Sequence, residues 1–338
     1  MRSRLFALLL VPLFGCAHFD AHKLATFDVA DPALRAATYQ GIPLKSGQVI
    51  VSDQGTPLSL FIAFVGQRFY PFVHAGVISI EDGEPFVYES LATIRPFLWG
   101  PPTDAASGRI RRTHFDAYVM RQRVVGIYDP PDDVDMVRVA DFARRNYSRK
   151  TPFDPYFDFG DHEKLYCTEF VAMALQSGGL EGIEVTTVRK NASLRVALDW
   201  LKIQTPGIVF AGALTRTGKP VAVLSKTYSP AQVAAYFALK RELHRRFTDE
   251  QRLGNVFVWR GGRLGLRPEI RAFLEAGLSA AQRPRDASEQ SIDALVASLA
   301  DQMLGRFEGS NVEVSPQLAL LRTDSRSAGP ADAGRIVP

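Results

Sequence analysis

Cysteine is nearly absent: the 338-residue chain holds two, Cys16 and Cys167. With so few thiols no disulfide framework can be built, and the fold must rest on its hydrophobic core. No apolar run is long enough to span a bilayer, since the one near the start, Leu5 to Phe14, is too short. No block of like charge occurs either. The net charge of +4 comes from scattered arginines, which suits negatively charged surroundings such as lipid headgroups and gives no footprint for nucleic acid. No internal repeat is present. What remains is ordinary globular material, 46% hydrophobic and 22% charged, in a chain longer than a typical single domain. One domain of ~150 to 200 residues with an extension is therefore expected.

The chain opens MRSRLFALLLVPLFGCAHF: two arginines, an apolar run, then Gly15-Cys16, the layout of a secretory signal. Its ending, Leu13-Phe14-Gly15-Cys16, resembles a bacterial lipobox, which implies that Cys16 becomes the lipidated first residue of a lipoprotein. An ordinary signal peptide or an uncleaved anchor is the alternative. Residue 18 is His rather than Asp, which by resemblance to the sorting rules of two-membrane bacteria implies a cell-envelope location in the outer membrane, facing the periplasm. Lipid on Cys16 would leave Cys167 without a partner in the chain. Residues 17–44 lack clear periodicity and are expected to form a tether, with a short helix near Pro32 to Thr38.

Gly47 introduces the first strand, Gln48 to Ser52, and Pro57 opens LSLFIAFVGQRF, a buried helix that stops at Gly66. HAGVISI and PFVYESL then flank Glu81-Asp82-Gly83-Glu84, a strong hairpin signal. Ala117 to Ile127 reads as another strand. Asp132 to Tyr147 reads as an amphipathic helix with its stripe at Val134, Val137, Phe142 and Tyr147. An aromatic loop, TPFDPYFDFGDHEK, leads into a helix carrying Cys167 that Gly178-Gly179 closes. Beyond Lys226, Ser229-Pro230-Ala231-Gln232 is a capping box feeding a helix to about Phe247. A strand at Val256 to Trp259 and helices at Pro268 to Ala276 and Ile292 to Leu304 follow. The tail from about Thr323 has too little apolar content to fold.

Cys167 sits where free backbone N–H groups and the helix dipole favour a thiolate, the nucleophilic form of cysteine. The alternative is a small buried hydrophobe. The hairpin supplies a base. With Asp82-Gly83 central in the turn, Glu81 pairs Glu84, Ile80 pairs Pro85, Ile78 pairs Val87 and Gly76 pairs Glu89. His74, Gly76, Ile78 and Ile80 then share a face with Glu89. Glu89 lies diagonal to His74 within reach of a long side chain, and Gly76 is expected to leave the space open. A carboxylate on one imidazole nitrogen frees the other to take a thiol proton. A bulged turn would put Glu89 on the wrong face. His74 as a satisfied core histidine and Glu89 as an exposed strand acid stay open alternatives. His162, in the acidic stretch Asp161-His162-Glu163, is a rival base, and His114 and His244 read as surface residues. Phe153, Tyr156, Phe157 and Phe159 either line an apolar groove or seal the core, the latter being favoured.

The order GQVIVSD (Gly47 to Asp53), a helix, HAGVI (His74 to Ile78), a strand ending Tyr88-Glu89-Ser90 and, much later, YCTEFV (Tyr166 to Val171) resembles the circularly permuted papain-like amidases of the YaeF/YiiX type, relatives of the NlpC-type cell-wall hydrolases. The resemblance spans about Lys45 to Leu214, Thr205-Pro206 included, with Thr168 where the family commonly has Ser. It implies an α+β fold: a permuted papain-like (NlpC-type) domain with an antiparallel sheet and a Cys-bearing helix, plus a mainly helical C-terminal extension. The organisation expected is a lipoprotein signal peptide at 1–16, a tether at 17–44, the catalytic domain at 45–215, an α-rich extension at 216–310 and a mostly disordered tail at 311–338. Carried over, Cys167 is the nucleophile, His74 the base and Glu89 its orienter. Tyr166 is the family's aromatic before Cys: either it simply packs beside the helix start, or its hydroxyl, or that of Tyr156, joins the Cys167 N–H in meeting an oxyanion. The implied activity is that of an envelope-anchored cysteine hydrolase, an amidase or cysteine peptidase cleaving a peptide or N-acyl amide through a Cys167 thioester, without cofactor or metal. His74, Glu89 and Cys167 show no close metal-type spacing. Expected partners are the membrane, through lipid on Cys16, and a peptide, cell-wall or acyl-lipid substrate, not nucleic acid. A lipid acyltransferase or lipase on the same core and a non-catalytic envelope lipoprotein are the competing classes. No motif specifies substrate or oligomeric state.

Overall fold

The computed structural model describes residues 36–92, 108–188, 198, 203, 205, 207–247, 256–260, 263–282, 291–306 and 335–336. Cys16, the signal segment, most of the expected tether and nearly all of the tail lie outside the described residues. The chain enters the fold earlier than residue 45. Strands β1 (Ala36–Tyr39) and β2 (Ile42–Lys45) form a hairpin where the sequence predicts a tether and a short helix. Ile42 and Leu44 alternate inward and are fully buried, the period-two pattern of a half-covered strand, and Gln40 and Gly41 both take the positive φ that a tight hairpin turn demands.

The centre is a seven-stranded antiparallel sheet. Its strands are β3 (Val49–Asp53), β4 (His74–Glu81), β5 (Glu84–Leu91), β6 (Arg109–His114), β7 (Val124–Asp129), β10 (Lys219–Leu224) and β13 (Arg335–Ile336), in the order β13-β10-β7-β3-β4-β5-β6. Both faces are covered, which is why β3 and the middle of β4 are buried at every position. Val49, Val51, Ala75, Val77, Tyr88 and Ile110 form one core with helices α3 (Met136–Arg149) and α4 (Cys167–Ser177). Ile50, Ile78, Ile80, Val87, Val125 and Ile127 form another with β1, β2 and helix α2 (Phe115–Arg121). Helix α1 (Pro57–Val65) is capped by Thr56, whose Oγ1 accepts from the Ser59 amide at 3.1 Å.

Two sequence expectations change here. Ala117 to Ile127 is not one strand, since α2 occupies its first half and β7 begins at Val124. Phe115, Tyr118 and Val119 recur at helical spacing and bury a stripe on the sheet, which outweighs the local strand propensity. In α3 the buried stripe is Val139, Ala140, Ala143 and Asn146, while Tyr147 is exposed. Asp135 explains the later start: its Oδ1 accepts from the Val137 and Arg138 amides at 3.0 and 3.1 Å, so Val134 precedes the helix.

After α4 come the short strands β8 (Thr186–Thr187) and β9 (Gly207–Ile208) and helix α5 (Ala211–Thr215). β10 lies beyond the expected boundary at residue 215 yet inside the central sheet, beside β7. Helix α6 (Pro230–Phe247) starts on the expected box: the Gln232 amide donates to Ser229 Oγ at 3.3 Å and Gln232 Oε1 accepts from the Ser229 amide at 3.1 Å. Its Phe237 joins the first core. Its Leu239 and Leu243 join a further core with α1, the hairpin β11 (Phe257–Arg260) and β12 (Arg263–Leu266), and helices α7 (Pro268–Ala281) and α8 (Ile292–Leu304). His244, expected at the surface, is buried between the Phe64 and Phe69 rings, 5.7 Å from each, with Nε2 3.2 Å from the Gly66 carbonyl oxygen.

Gly76 does not leave open space. A Cβ there would meet the Tyr88 carbonyl oxygen at 2.7 Å and Val87 Cγ1 at 2.9 Å, so the glycine permits close packing of β4 on β5. Gly76→Ala is expected to destabilise the fold by about 1–3 kcal/mol through overpacking. A thermal melt several degrees lower checks this, and an unchanged melt would refute it.

Candidate active site

Short-range rules bring the β4–β5 pair together. Asp82 and Gly83 both have positive φ, and the pairing runs Glu81 to Glu84, Ile80 to Pro85, Ser79 to Phe86, Ile78 to Val87 and Val77 to Tyr88. This is the unbulged register inferred from the sequence, and it puts Glu89 on the His74 face. His74 Nε2 lies 2.8 Å from Glu89 Oε2, the two side chains being 12% and 1% exposed. Glu89 Oε1 also accepts from Arg121 Nη2 at 2.6 Å and from Thr113 Oγ1 at 3.2 Å.

Cys167 is the first residue of α4 and is half-buried. The helix start is held from two sides. Ser90, next to Glu89 on β5, donates to the Leu165 carbonyl at 2.5 Å. Thr168 Oγ1 donates to the Val209 carbonyl at 2.5 Å, and the Val209 amide donates to the Tyr166 hydroxyl at 3.1 Å. In this contact Tyr166 serves as the acceptor, which leaves its O–H proton for a second partner. Its ring is fully buried against Phe157, with centroids 5.1 Å apart, and its hydroxyl is engaged with Val209. Phe153 also packs on Phe157, which is the core-sealing arrangement of the aromatic loop.

Burial works against a charged imidazole at His74, but its interactions with Cys167 and Glu89 outweigh it and raise His74 from 6.5 to about 10. Burial likewise pushes Glu89 up, and the hydrogen bonds and charges of His74 and Arg121 overcome it, holding the carboxyl at about 2. The resulting state near neutrality is an ionised Glu89 under a protonated His74 that faces Cys167. Tyr118 stacks on the His74 ring at 6.4 Å, and its hydroxyl is 2.9 Å from Ser52 Oγ.

Arg121 and Tyr118 are absent from the sequence-derived set. Both lie on α2, the segment read as a strand, and no local motif marks them. A helix-periodic reading of Phe115, Tyr118 and Val119 would have found the helix, though not its contact with Glu89.

A second His–carboxylate pair lies at the first turn of α4. His162 Nδ1 is 2.9 Å from Glu169 Oε1, and Glu169 Oε2 accepts from the Tyr166 amide at 3.3 Å. His162, the rival base, is 44% exposed and commits a ring nitrogen to Glu169. Burial raises Glu169 from 4.5 to about 8, against the pull of the Tyr166 amide and with the negative charges of Asp154, Asp161 and Asp158 adding to the rise. A raised carboxyl favours the fold fully below 4.5, and that contribution is lost as pH rises through about 8. Glu169→Gln copies the protonated form, accepting from Tyr166 and donating to His162. Its stability is expected to match wild type at low pH and exceed it above pH 8, as read from melts across pH. Parallel curves would refute the assignment.

Among the described residues, no group of three or more His, Cys, Asp and Glu side chains is arranged to hold a metal ion, and no helix is long and apolar enough to cross a membrane. No protein-family model matches the chain, and no curated protein matches it. One solved structure is similar. It is that of metalloprotein yiiX from Escherichia coli O157:H7, with 14% identity and a TM-score of 0.41 over 52% of this chain and 93% of that one.

Proposed function

We propose that this chain is an envelope-anchored cysteine hydrolase with a permuted papain-like core, cleaving a peptide or N-acyl amide through a thioester on Cys167. The observation that carries the reading is the buried 2.8 Å contact between His74 Nε2 and Glu89 Oε2, with the half-buried Cys167 at a helix start as the other hydrogen-bonding partner of His74. With Nε2 committed to Glu89, Nδ1 is the nitrogen left for the thiol proton. The thiolate is further favoured by the free amides and dipole of α4.

In this scheme the thiolate sulfur attacks the amide carbon, and the carbonyl oxygen gains negative charge that the Cys167 amide meets. Collapse breaks the C–N bond, and the His74 imidazolium gives its proton to the leaving nitrogen. The now neutral His74 takes a proton from water, which attacks the thioester. The C–S bond breaks, releasing a carboxylic acid and restoring the thiolate–imidazolium pair. Glu89 stays ionised throughout and holds the ring. Lipid on Cys16 would keep the reaction at an envelope membrane.

The test uses the full chain with Cys16→Ser, so that Cys167 is the sole thiol. Peptide amides, N-acyl amides and lipid esters are offered in parallel, and intact mass follows acylation of Cys167. Acylation with release of amine and free acid is expected. Acyl transfer from lipid esters to an acceptor other than water would replace the hydrolase with an acyltransferase, and no adduct from any donor would leave a binding lipoprotein.

A further inference from the structure

His74 begins β4, and the residues just before it are gripped from the far end of the chain. Lys240, on α6, is 2% exposed and places its Nζ on the carboxylate of the fully buried Asp53. The same Nζ donates to the Pro71 carbonyl at 3.0 Å. Tyr236, one helical turn earlier, donates to Asp53 Oδ1 at 3.0 Å, and Phe237 meets Phe72 edge-on at 5.3 Å. One helix therefore holds both Pro71-Phe72 and Asp53. Those two points flank the place where β3 and β4 meet: the Val73 amide donates to the Ser52 carbonyl at 3.1 Å, and Ser52 is the strand partner of His74. Ser52 Oγ in turn contacts Tyr118, whose ring stacks on the imidazole.

A buried ion pair is a poor means of adding stability, because desolvating two charges offsets most of their attraction. Its geometry is demanding, however, and Lys240 serves two acceptors that belong to different segments of the site. We propose that Lys240 is a positioning residue for His74, so that the C-terminal third of the chain is a working part of the active site rather than an appended module. The inference rests on the proposed pairing of His74 with Cys167. It assigns Lys240 the task of fixing where β4 starts, and so the direction in which the imidazole points.

The test is made on the full chain with Cys16→Ser, comparing wild type with Asp53→Asn/Lys240→Met, which removes both charges together and leaves no buried ion unpaired. The readouts are the NMR titration of His74, assigned by its absence in His74→Ala, and the rate of Cys167 alkylation against pH. A core truncation away from the site, Val296→Ala in α8, serves as the comparison for general loosening. In the double variant the His74 midpoint is expected to move by about one unit toward 6.5, a tenfold change in its proton equilibrium, with alkylation near pH ~6.5 falling about tenfold. Val296→Ala is expected to lower the melt and move neither readout. If the double variant does not unfold cooperatively, Lys240→Arg is read in the same way, since it keeps the charge on Asp53 while a bulkier head displaces the Pro71 contact. A His74 midpoint and alkylation profile equal to wild type, or the same shifts in Val296→Ala, would overturn the positioning role alone. A wild-type His74 that titrates near 6.5 would overturn the pairing with Cys167 and the positioning role with it.

Discussion

Cys167→Ala is expected to abolish covalent capture of acyl groups. With Cys16→Ser as background, the parent chain forms one adduct with an activated ester and the variant forms none. Amide turnover falls by about 10⁴-fold or more, the scale seen when a nucleophile that acts as part of a unit is removed. The fold should tolerate the change, because Cys167 stands at the half-buried first position of α4, whose start is fixed instead by Ser90, Thr168 and Tyr166. Intact mass and a melt on the same sample separate lost chemistry from lost structure. Turnover that survives the substitution would remove Cys167 from the mechanism.

Glu89→Gln is expected to be nearly as damaging while keeping the shape of the site. The amide keeps an acceptor oxygen for only one of His74 and Arg121, turns an NH2 toward the other, and carries no charge to support the imidazolium. Turnover is expected to fall by about 10²–10⁴-fold, as when the acid of a catalytic triad is replaced by its amide. Stability has a distinct signature. Glu89 is depressed from 4.5 to about 2, so its contribution is present above 4.5 and lost as pH falls through about 2. His74 is raised from 6.5 to about 10, so its contribution is present below 6.5 and lost as pH rises through about 10. The gap in melting temperature between wild type and Glu89→Gln should therefore be widest from 4.5 to 6.5 and narrow on both sides. A gap independent of pH would mean that the Glu89 charge is not coupled to His74.

The parts of the site legible in the sequence are those governed by short-range rules. A two-residue turn at Asp82-Gly83 fixes the register of its strands, and period two then places Glu89 beside His74. The end of the helix that carries Cys167 is legible in its Gly178-Gly179 stop. The rest depends on contacts between distant segments. Arg121 reaches Glu89 because α2 folds over the sheet, where its buried stripe overrides the strand propensity of its residues. Tyr166 is marked locally only as the aromatic before Cys167, and the Val209 amide that donates to its hydroxyl comes from far along the chain. His244 sits among arginines in the sequence and among phenylalanines in space, because α6 is packed on both sides and buries Lys240, Glu242 and Arg246 along with it. Lys240 reads as one more surface cation until α6 is packed on β3, and nothing local distinguishes it from its neighbours.

The most direct test of the central claim is the pH dependence of Cys167 alkylation in the full chain with Cys16→Ser, measured in wild type and in His74→Ala. Rapid labelling that persists well below pH ~8.5, the ordinary thiol value, and is lost in His74→Ala is the expected result. Labelling that follows an ordinary thiol profile, unchanged by His74→Ala, would contradict the pairing of His74 with Cys167 and the hydrolase built on it.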